Sequence, residues 1–337
     1  MKRVKYILIT VLVALSIFSL VACTKKDKGT IVTTTSVLAD LVSNIAGDGE
    51  KVSPLMGANV DAHHFQMTSS HTSKIKNAKA VFTMGLQLEG KALDSIKNIA
   101  KNKNKVFSVG DELYQTLKVS KKGFIKAGEH EHHHEGEHEH EHEEHHHHGE
   151  IDPHFWHDIN LWKEAAKIVE KKLSEIDKKN TAKYKKNLNS YLEKLSNLDK
   201  ELKEKLSKIP EEKKRVVTQH DAFAYLERAF GIEFLHIQGV STIAEANERD
   251  LTELVGEIKE HNVRAIFSES SLSDKGINAL IDLAKKSGHE LKKGGVLFAD
   301  ALGTKDENAD TYIKMMTRNI NTIVSAIQWY IAMKPFV

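Results

Sequence analysis

The sequence predicts an α/β protein of two lobes, each a parallel sheet covered by helices, with a long helix between them. Three observations carry this reading. Short β-branched or apolar runs alternate with segments of helical spacing from Thr30 to Val109, and such alternation implies a parallel sheet covered on both faces. The same alternation returns from Arg215 to Met333. Between the two lies a Lys/Glu-rich stretch from Leu161 to Ile209, without Gly or Pro, in which apolar residues recur every three or four positions. That spacing puts them on one stripe of a helix.

The 337 residues suffice for two domains of ordinary size. The first of them form neither. Lys2, Arg3 and Lys5 precede an apolar run from Tyr6 to Ala22 that ends Leu20-Val21-Ala22-Cys23, the pattern of a secretory signal over 1–22. Its ending resembles the bacterial lipoprotein cleavage box, which implies that Cys23 becomes the lipid-modified first residue of the mature chain. A transmembrane anchor is the alternative, but the run is marginal against the ~20 residues a span needs. Cys23 is the only cysteine, so the protein is expected to have neither an internal disulfide nor a thiolate metal site. Residues 23–28 then form a tether, and the protein is extracytoplasmic, lipid-anchored to the cell membrane.

In the first lobe, expected over 29–160, Thr30 to Thr35 reads as a strand and Ser36 to Val42 as a helix with Ser36 as N-cap. Strand-like Lys51 to Met56 leads to a Gly/Asn/Asp turn, with His63 just beyond it. Ala80 to Met84 is a short buried strand, Leu88 to Ala100 a helix and Val106 to Val109 a strand. Residues 161–210 are expected to hold helices, including one of about 30 residues spanning about 45 Å that braces the lobes. A coiled-coil dimer is the rival for this stripe, but it covers fewer than four clean heptads, and a monomer is expected. The second lobe, 211–337, reads as strands at Arg215 to Thr218, Glu233 to Ile237, Val263 to Phe267 and Val296 to Ala299. Its helices fall at Asp221 to Phe230, Glu248 to His261, Lys275 to Ser287 and Asp310 to Met333.

One segment belongs to neither pattern. From Glu129 to Glu150 nearly every residue is His, Glu or Gly, and eleven of the chain's 20 histidines are here: His130, His132, His133, His134, His138, His140, His142, His145, His146, His147 and His148. With no apolar residue to bury, the segment cannot offset the entropy of ordering, and a mobile loop is expected. Imidazole and carboxylate at this density make it an accessory metal-binding stretch. A purification tag would be terminal and nearly pure His. The H-E-x-x-H matches that start at His130, His134 and His138, like any other in so repetitive a stretch, need a stable helix to mean anything. Gly136 and the missing apolar stripe exclude one.

An apolar content of 40% with 28% charged residues describes a soluble globular body. The net charge is +2, and setting aside the nine Glu of the histidine-rich stretch leaves the rest distinctly basic. The excess lies in Lys-rich helical stretches without interleaved aromatics, so no nucleic-acid partner is expected.

Five ordered motifs then become specific. They are Asp61-Ala62-His63-His64-Phe65, Asp152-Pro153-His154-Phe155-Trp156, the segment Thr218-Gln219-His220-Asp221-Ala222-Phe223-Ala224-Tyr225-Leu226, Ile237-Gln238-Gly239-Val240-Ser241-Thr242, and Gly294-Gly295-Val296-Leu297-Phe298-Ala299-Asp300-Ala301-Leu302-Gly303. Together they resemble the zinc/manganese solute-binding lipoproteins of bacterial ABC importers, the cluster A-I type, across essentially all of the mature chain. The resemblance implies two Rossmann-like lobes joined by a single long rigid helix, with one metal ion in the interlobe cleft. Its ligand positions fall on His63, His154, His220 and Asp300. The first motif departs from the usual pattern, with Ala62 where the family has Pro and His64 as a neighbouring imidazole. His157 stands where the family is variable and is expected at the surface or behind the ligands. Glu269 reads as a local structural carboxylate, and His71, His236, His261 and His289 as structural or exposed.

Three imidazoles and one carboxylate suit Zn2+. Mn2+ prefers more oxygen ligands and binds a given N/O site more weakly. The family often has Glu at the third position in manganese-type members and His in zinc-type ones; here it is His220. Zinc is therefore the expected ligand and manganese the alternative. A zinc hydrolase is the rival from another class, but a fourth protein ligand would close the shell, and no motif marks a general base. A surface metal buffer or adhesin working through the histidine-rich stretch alone leaves four motifs unexplained. The sequence has no Walker A motif, so a separate ABC permease and its ATPase are the expected partners.

Overall fold

The computed structural model describes residues 29–100, 105–118, 123–128, 151–244 and 246–332. The signal (1–22), Cys23 with the tether, and the histidine-rich stretch 129–150 lie outside the described residues. In the first lobe β1 (Ile31–Thr33), β2 (Val52–Pro54), β3 (Ala80–Thr83) and β4 (Val106–Ser108) form one sheet in the order β2-β1-β3-β4, all parallel. The second lobe repeats the arrangement: β5 (Arg215–His220), β6 (Glu233–Gln238), β7 (Ala265–Glu269) and β8 (Lys292–Leu297) run in the order β6-β5-β7-β8, again all parallel. The alternation in sequence thus yields the predicted α/β class, two parallel-sheet lobes with a long helix.

Several elements differ in detail from the expectation. Helix α1 (Ser36–Ala46) is capped by Thr35, whose Oγ1 accepts from the Leu38 N–H at 3.2 Å. Ser36 is its first residue, and Ser36 Oγ instead accepts the Leu302 N–H from the other lobe at 2.9 Å. Helix α2 (Ser69–Asn77) went unread because only Ile75 of its nine residues is buried, which leaves no apolar stripe in the sequence. Helix α3 (Lys91–Ile99) is shorter than expected, and α4 (Val109–Lys118) follows β4 with no turn residue to announce it. The last strand begins at Lys292, not Val296, because Gly294 lets the backbone pass directly over the Phe267 ring. Two lysines and two glycines hide such a strand from a reading based on propensity.

The stretch from Leu161 to Ile209 is two helices, α5 (Ile159–Ile176) and α6 (Thr181–Leu206). They break at Asp177-Lys178-Lys179-Asn180, which has no apolar residue to bury and forms a 3-10 turn. The 26 residues of α6 span about 39 Å. Its stripe, Tyr184, Tyr191, Leu195, Leu198, Leu202 and Leu206, is buried, and α6 packs against α1 of the first lobe and α10 (Tyr312–Ala332) of the second.

Because α1, α5, α6 and α10 meet in the middle, the principal apolar core runs through both lobes, from Ile31 and Val42 through Trp162 and Tyr191 to Phe298 and Ile323. Trp162 stacks on Tyr312 with ring centroids 5.2 Å apart. Two smaller clusters cover the outer sheet faces, one around Val81 and Ile96 and one around Ile266 and Leu280. In the second lobe α7 (Ala224–Phe230), α8 (Glu248–Glu260) and α9 (Lys275–Lys286) complete the element order. Among the described residues no helix is long and apolar enough to cross a membrane.

Asp40 lies in this middle layer, where one of its carboxylate oxygens accepts the Tyr312 N–H at 3.1 Å. Burial lifts its carboxyl from 3.8 to about 6, against the pull of Tyr312 and Asn44. A raised carboxyl pKa contributes stability that is full below the unfolded value and lost as pH rises through about 6. Asp40→Asn should therefore stabilise the metal-free protein by about 1–2 kcal/mol at pH 7.5, with discount for partial exposure, and leave it unchanged at pH 4. Urea unfolding at the two pH values checks this, and an equal effect at both would refute it.

Candidate metal centre

Four side chains from four separate parts of the chain meet where the two lobes face each other. His63 comes from the loop after β2, where Asp61 Oδ1 accepts the N–H groups of His63 (2.8 Å) and His64 (3.3 Å) and fixes the turn. Thr242, at the end of the fourth motif, donates to the other oxygen of Asp61 at 2.9 Å and so ties the second lobe to that turn. The turn directs His63 inward; His64 is exposed. His220 ends β5, and Asp300 follows β8, the carboxyl ends of parallel strands where such sheets place ligands.

His154 arrives differently from His220 and Asp300, since it follows no sheet strand. It lies between an isolated antiparallel bridge, Lys126 to Ile151, and the 3-10 turn Phe155–His157 that leads into α5. Asp152 and Asp158 hold the two ends of this segment. Asp152 Oδ1 accepts the His154 N–H at 2.8 Å, and Asp158 caps α5 while accepting from Arg228 of the second lobe at 2.8 Å. Tyr225, also of the second lobe, donates to the Asp152 carbonyl at 2.8 Å.

His63 Nε2 lies 3.2 Å from His154 Nε2 and 3.7 Å from Asp300 Oδ2. Asp300 Oδ1 is 3.3 Å from His154 Nε2 and 3.6 Å from His220 Nε2. One donor atom from each of the four residues falls within 4.8 Å of all the others, the one such group among the described residues. A tetrahedron with bonds of about 2.0–2.1 Å has edges of about 3.3–3.4 Å, so the spacing suits one small ion bound by N and O. His154 and His220 are fully buried, Asp300 is 1% exposed, and the His63 side chain, 6% exposed, is the outermost of the four.

Two carboxylates set the imidazoles. Asp152 Oδ1 accepts from His154 Nδ1 at 2.8 Å, and Glu269 Oε2 from His220 Nδ1 at 2.5 Å. A proton held on Nδ1 leaves Nε2 to face the centre, the arrangement seen behind metal-bound histidines. Glu269 also accepts the main-chain N–H groups of Gln219 and His220, both at 2.9 Å. The sequence marked Glu269 only as a local carboxylate, and nothing in it joins two residues 49 positions apart.

Burial opposes charge on all four groups, yet they divide by what surrounds them. Burial takes His63 down to about 3, with Asp300 pulling the other way. For His154 burial is outweighed by Asp152 and Asp300, and the ring rises to about 9. Burial is likewise outweighed at His220, where Glu269 and Asp300 hold the ring well above its usual value. At Asp300 burial is overcome by His220 and His154, which keep it well below the usual carboxylate range. The metal-free centre thus holds protons on His154 and His220 facing a carboxylate.

The remaining histidines with a resolved role are structural. His71 caps α2 by accepting the Thr68 N–H, and His289 donates to the Val263 carbonyl at 2.6 Å. His157, expected at the surface or behind the ligands, is fully buried and lies outside the group of four.

With this geometry in view, the comparisons with known proteins agree. Residues 31–326 match the family described as zinc-uptake complex component A, periplasmic (ZnuA). The manganese-binding lipoprotein MntA of Bacillus subtilis is 35% identical over 298 residues, 88% of this chain and 89% of that one. The zinc-binding protein TroA of Treponema pallidum is 33% identical over 300 residues, 89% of each. The solved structure of the Treponema protein superposes with a TM-score of 0.77, covering 89% of this chain and 99% of that one. The Mn-bound periplasmic metal-binding protein of Candidatus Liberibacter asiaticus, 26% identical, superposes with a TM-score of 0.72 over 89% of this chain and 100% of that one. The chain therefore belongs to the ZnuA family of metal-binding, solute-binding components of ABC importers.

Proposed function

We propose that this chain captures Zn2+ outside the cell membrane and delivers it to an ABC permease driven by a separate ATPase, with His63, His154, His220 and Asp300 as the ligands. The observation that carries the reading is the convergence of three Nε2 atoms and one carboxylate, with four of their gaps at 3.2 to 3.7 Å and all within 4.8 Å. A binding component needs a closed shell that it can fill and empty, and four protein donors supply one without an open position for a substrate. Zinc is favoured over Mn2+ by the donor set, because three neutral imidazoles suit the softer ion. The relatives' names include both metals, so Mn2+ is the second reading. Attachment through a lipid on Cys23 is supported by relatives that are lipoproteins. The histidine-rich stretch 129–150 would collect metal in weak, multiple sites.

His220 carries the selectivity argument. On protein lacking 129–150, His220→Ala should weaken zinc by several kcal/mol, since a coordinate bond and the link between lobes go together. His220→Glu should restore binding but narrow the preference for zinc over manganese, since two carboxylates make a harder set. Competition titrations of Zn2+ against Mn2+ check both. Deletion of 129–150 alone should lower the metal bound per chain and leave one tight site. If neither substitution alters tight zinc binding, His220 is not a ligand.

Glu269→Gln should weaken the tight site roughly 10- to 100-fold. Its amide would present N–H to the His220 Nδ1 and drive the ring proton onto Nε2, where the metal must bind. Chelator competition measures this, with unchanged affinity as the contrary result.

Metal must also displace the protons held on His154 and His220. Raised pKa values in the metal-free state mean that affinity rises with pH through neutrality and levels off above the highest of them. Calorimetry at pH 7 in buffers of different ionisation enthalpy should report roughly one to two protons released per zinc. Buffer-independent heats would contradict the assignment.

A further inference from the structure

Each of the two innermost imidazoles has a carboxylate behind it, but Asp300 has no comparable support. Both of its carboxylate oxygens are buried, with no hydrogen-bond donor beyond the facing imidazoles. Their direction must therefore come from the main chain that carries them.

That main chain is held from the opposite lobe. Trp156 Nε1–H donates to the Ala299 carbonyl at 3.0 Å, and His157 Nε2 lies 3.2 Å from the same oxygen. A carbonyl oxygen can only accept, so His157 carries its proton on Nε2. Its Nδ1 is buried without a partner, which is tolerable for the bare nitrogen of a neutral ring and costly for an N–H. Beyond Asp300, the Leu302 N–H donates to Ser36 Oγ at 2.9 Å and the Leu302 carbonyl accepts the Asn59 N–H at 3.0 Å. The chain on both sides of Asp300, though part of the second lobe, is therefore tied to the first.

We propose that His157 is a positioning residue for the metal site: with Trp156 it locks the Ala299 carbonyl to the first lobe and so sets where the Asp300 carboxylate points. This rests on the reading of Asp300 as a ligand. The same short turn then serves the site twice, since His154 faces the centre while Trp156 and His157 fix a donor that arrives 146 positions after His154 in the chain. The Phe223 ring packs against that of His157, with centroids 4.8 Å apart. An apolar residue of similar size would fill this space equally well but would leave the carbonyl with one donor.

The test uses the full chain with one molar equivalent of Co2+, which fills the tightest site first and reports coordination through its visible absorption. His157→Leu removes the donor at similar volume, and His157→Gln returns an N–H. The leucine variant should bind Co2+ roughly tenfold more weakly. Its bands should lose intensity as water enters and the coordination number rises, and the glutamine variant should recover both. Asp300→Ala separates the two readings. Unchanged bands and affinity in Asp300→Ala would overturn the metal-site assignment itself. A clear change there, together with a wild-type spectrum and affinity for His157→Leu, would overturn the positioning role alone, whatever happens to the melting temperature. Should the leucine variant not fold, 15N-histidine NMR of the wild-type protein decides, with the His157 ring assigned by its loss in the glutamine variant. A proton on Nε2 in slow exchange is the expected result, and a proton on Nδ1 would exclude the contact.

Discussion

Four side chains proposed as metal ligands, buried between two lobes, leave polar atoms that face only one another. His220 Nε2 and both Asp300 oxygens are buried without a hydrogen-bond partner, and each such atom costs on the order of 1–3 kcal/mol in the absence of something to bind. They already face one another at 3.2 to 3.7 Å, and left to themselves they would close into direct pairs or turn toward water. The structure prevents this by using the far side of each one. Asp152 and Glu269 hold two rings by their Nδ1 atoms, Asp61 fixes the main chain of His63, and the Ala299 carbonyl carries the restraint on Asp300. The cost of an unsatisfied centre is thus carried by a ring of satisfied neighbours, and an arriving cation is what removes it.

The restraints also explain why the lobes are joined by more than a helix. Thr242 to Asp61, Tyr225 to Asp152, Arg228 to Asp158 and the Trp156 and His157 contacts to Ala299 all cross from one lobe to the other. Behind them the core is continuous from α1 through α6 to α10. Each of these contacts involves a residue within a few positions of a proposed ligand. Packing and coordination are therefore coupled, so that a change in one ligand's support is felt across the interface.

Much of the fold was legible because its signals are local. The β-branched runs around Ile31 and Val216 and the stripe from Tyr184 to Leu206 need only their own neighbours to be read. The elements that escaped are those whose pattern depends on tertiary contact. Helix α2 buries one residue, and β8 is a strand because Gly294 fits against Phe267. The expected helices of 161–210 meet at Asp177-Lys178-Lys179-Asn180, a break whose position no apolar gap announces but where no apolar residue is available to bury. The four convergent residues stood out through their motifs, and of the adjacent pair His63 turns inward while His64 is exposed. Their supports did not stand out. Glu269 and His157 are single residues whose meaning lies in one contact with a distant segment, His220 or Ala299, and spacing carries no trace of either.

The shared core also bears on how metal enters and leaves. A wide hinge motion would expose part of that core to water at about 25 cal/mol per Å2 of apolar surface, against a stability of only about 5–15 kcal/mol for a domain. The continuous core therefore favours openings that are small and local to the loops that carry the proposed ligands. Small motions are enough here. His63 is the outermost of the four groups, its side chain 6% exposed, and its loop is held through the main chain, by the Asp61 turn, the Thr242 hydroxyl and Asn59, with no carboxylate bonded behind the ring like those at His154 and His220. His154, His220 and Asp300 are each restrained by buried partners. A cation can shift such an equilibrium only by the difference in its affinity for the two arrangements. That difference is concentrated in whichever ligand moves, and the loosest support in the site belongs to the ring nearest the solvent.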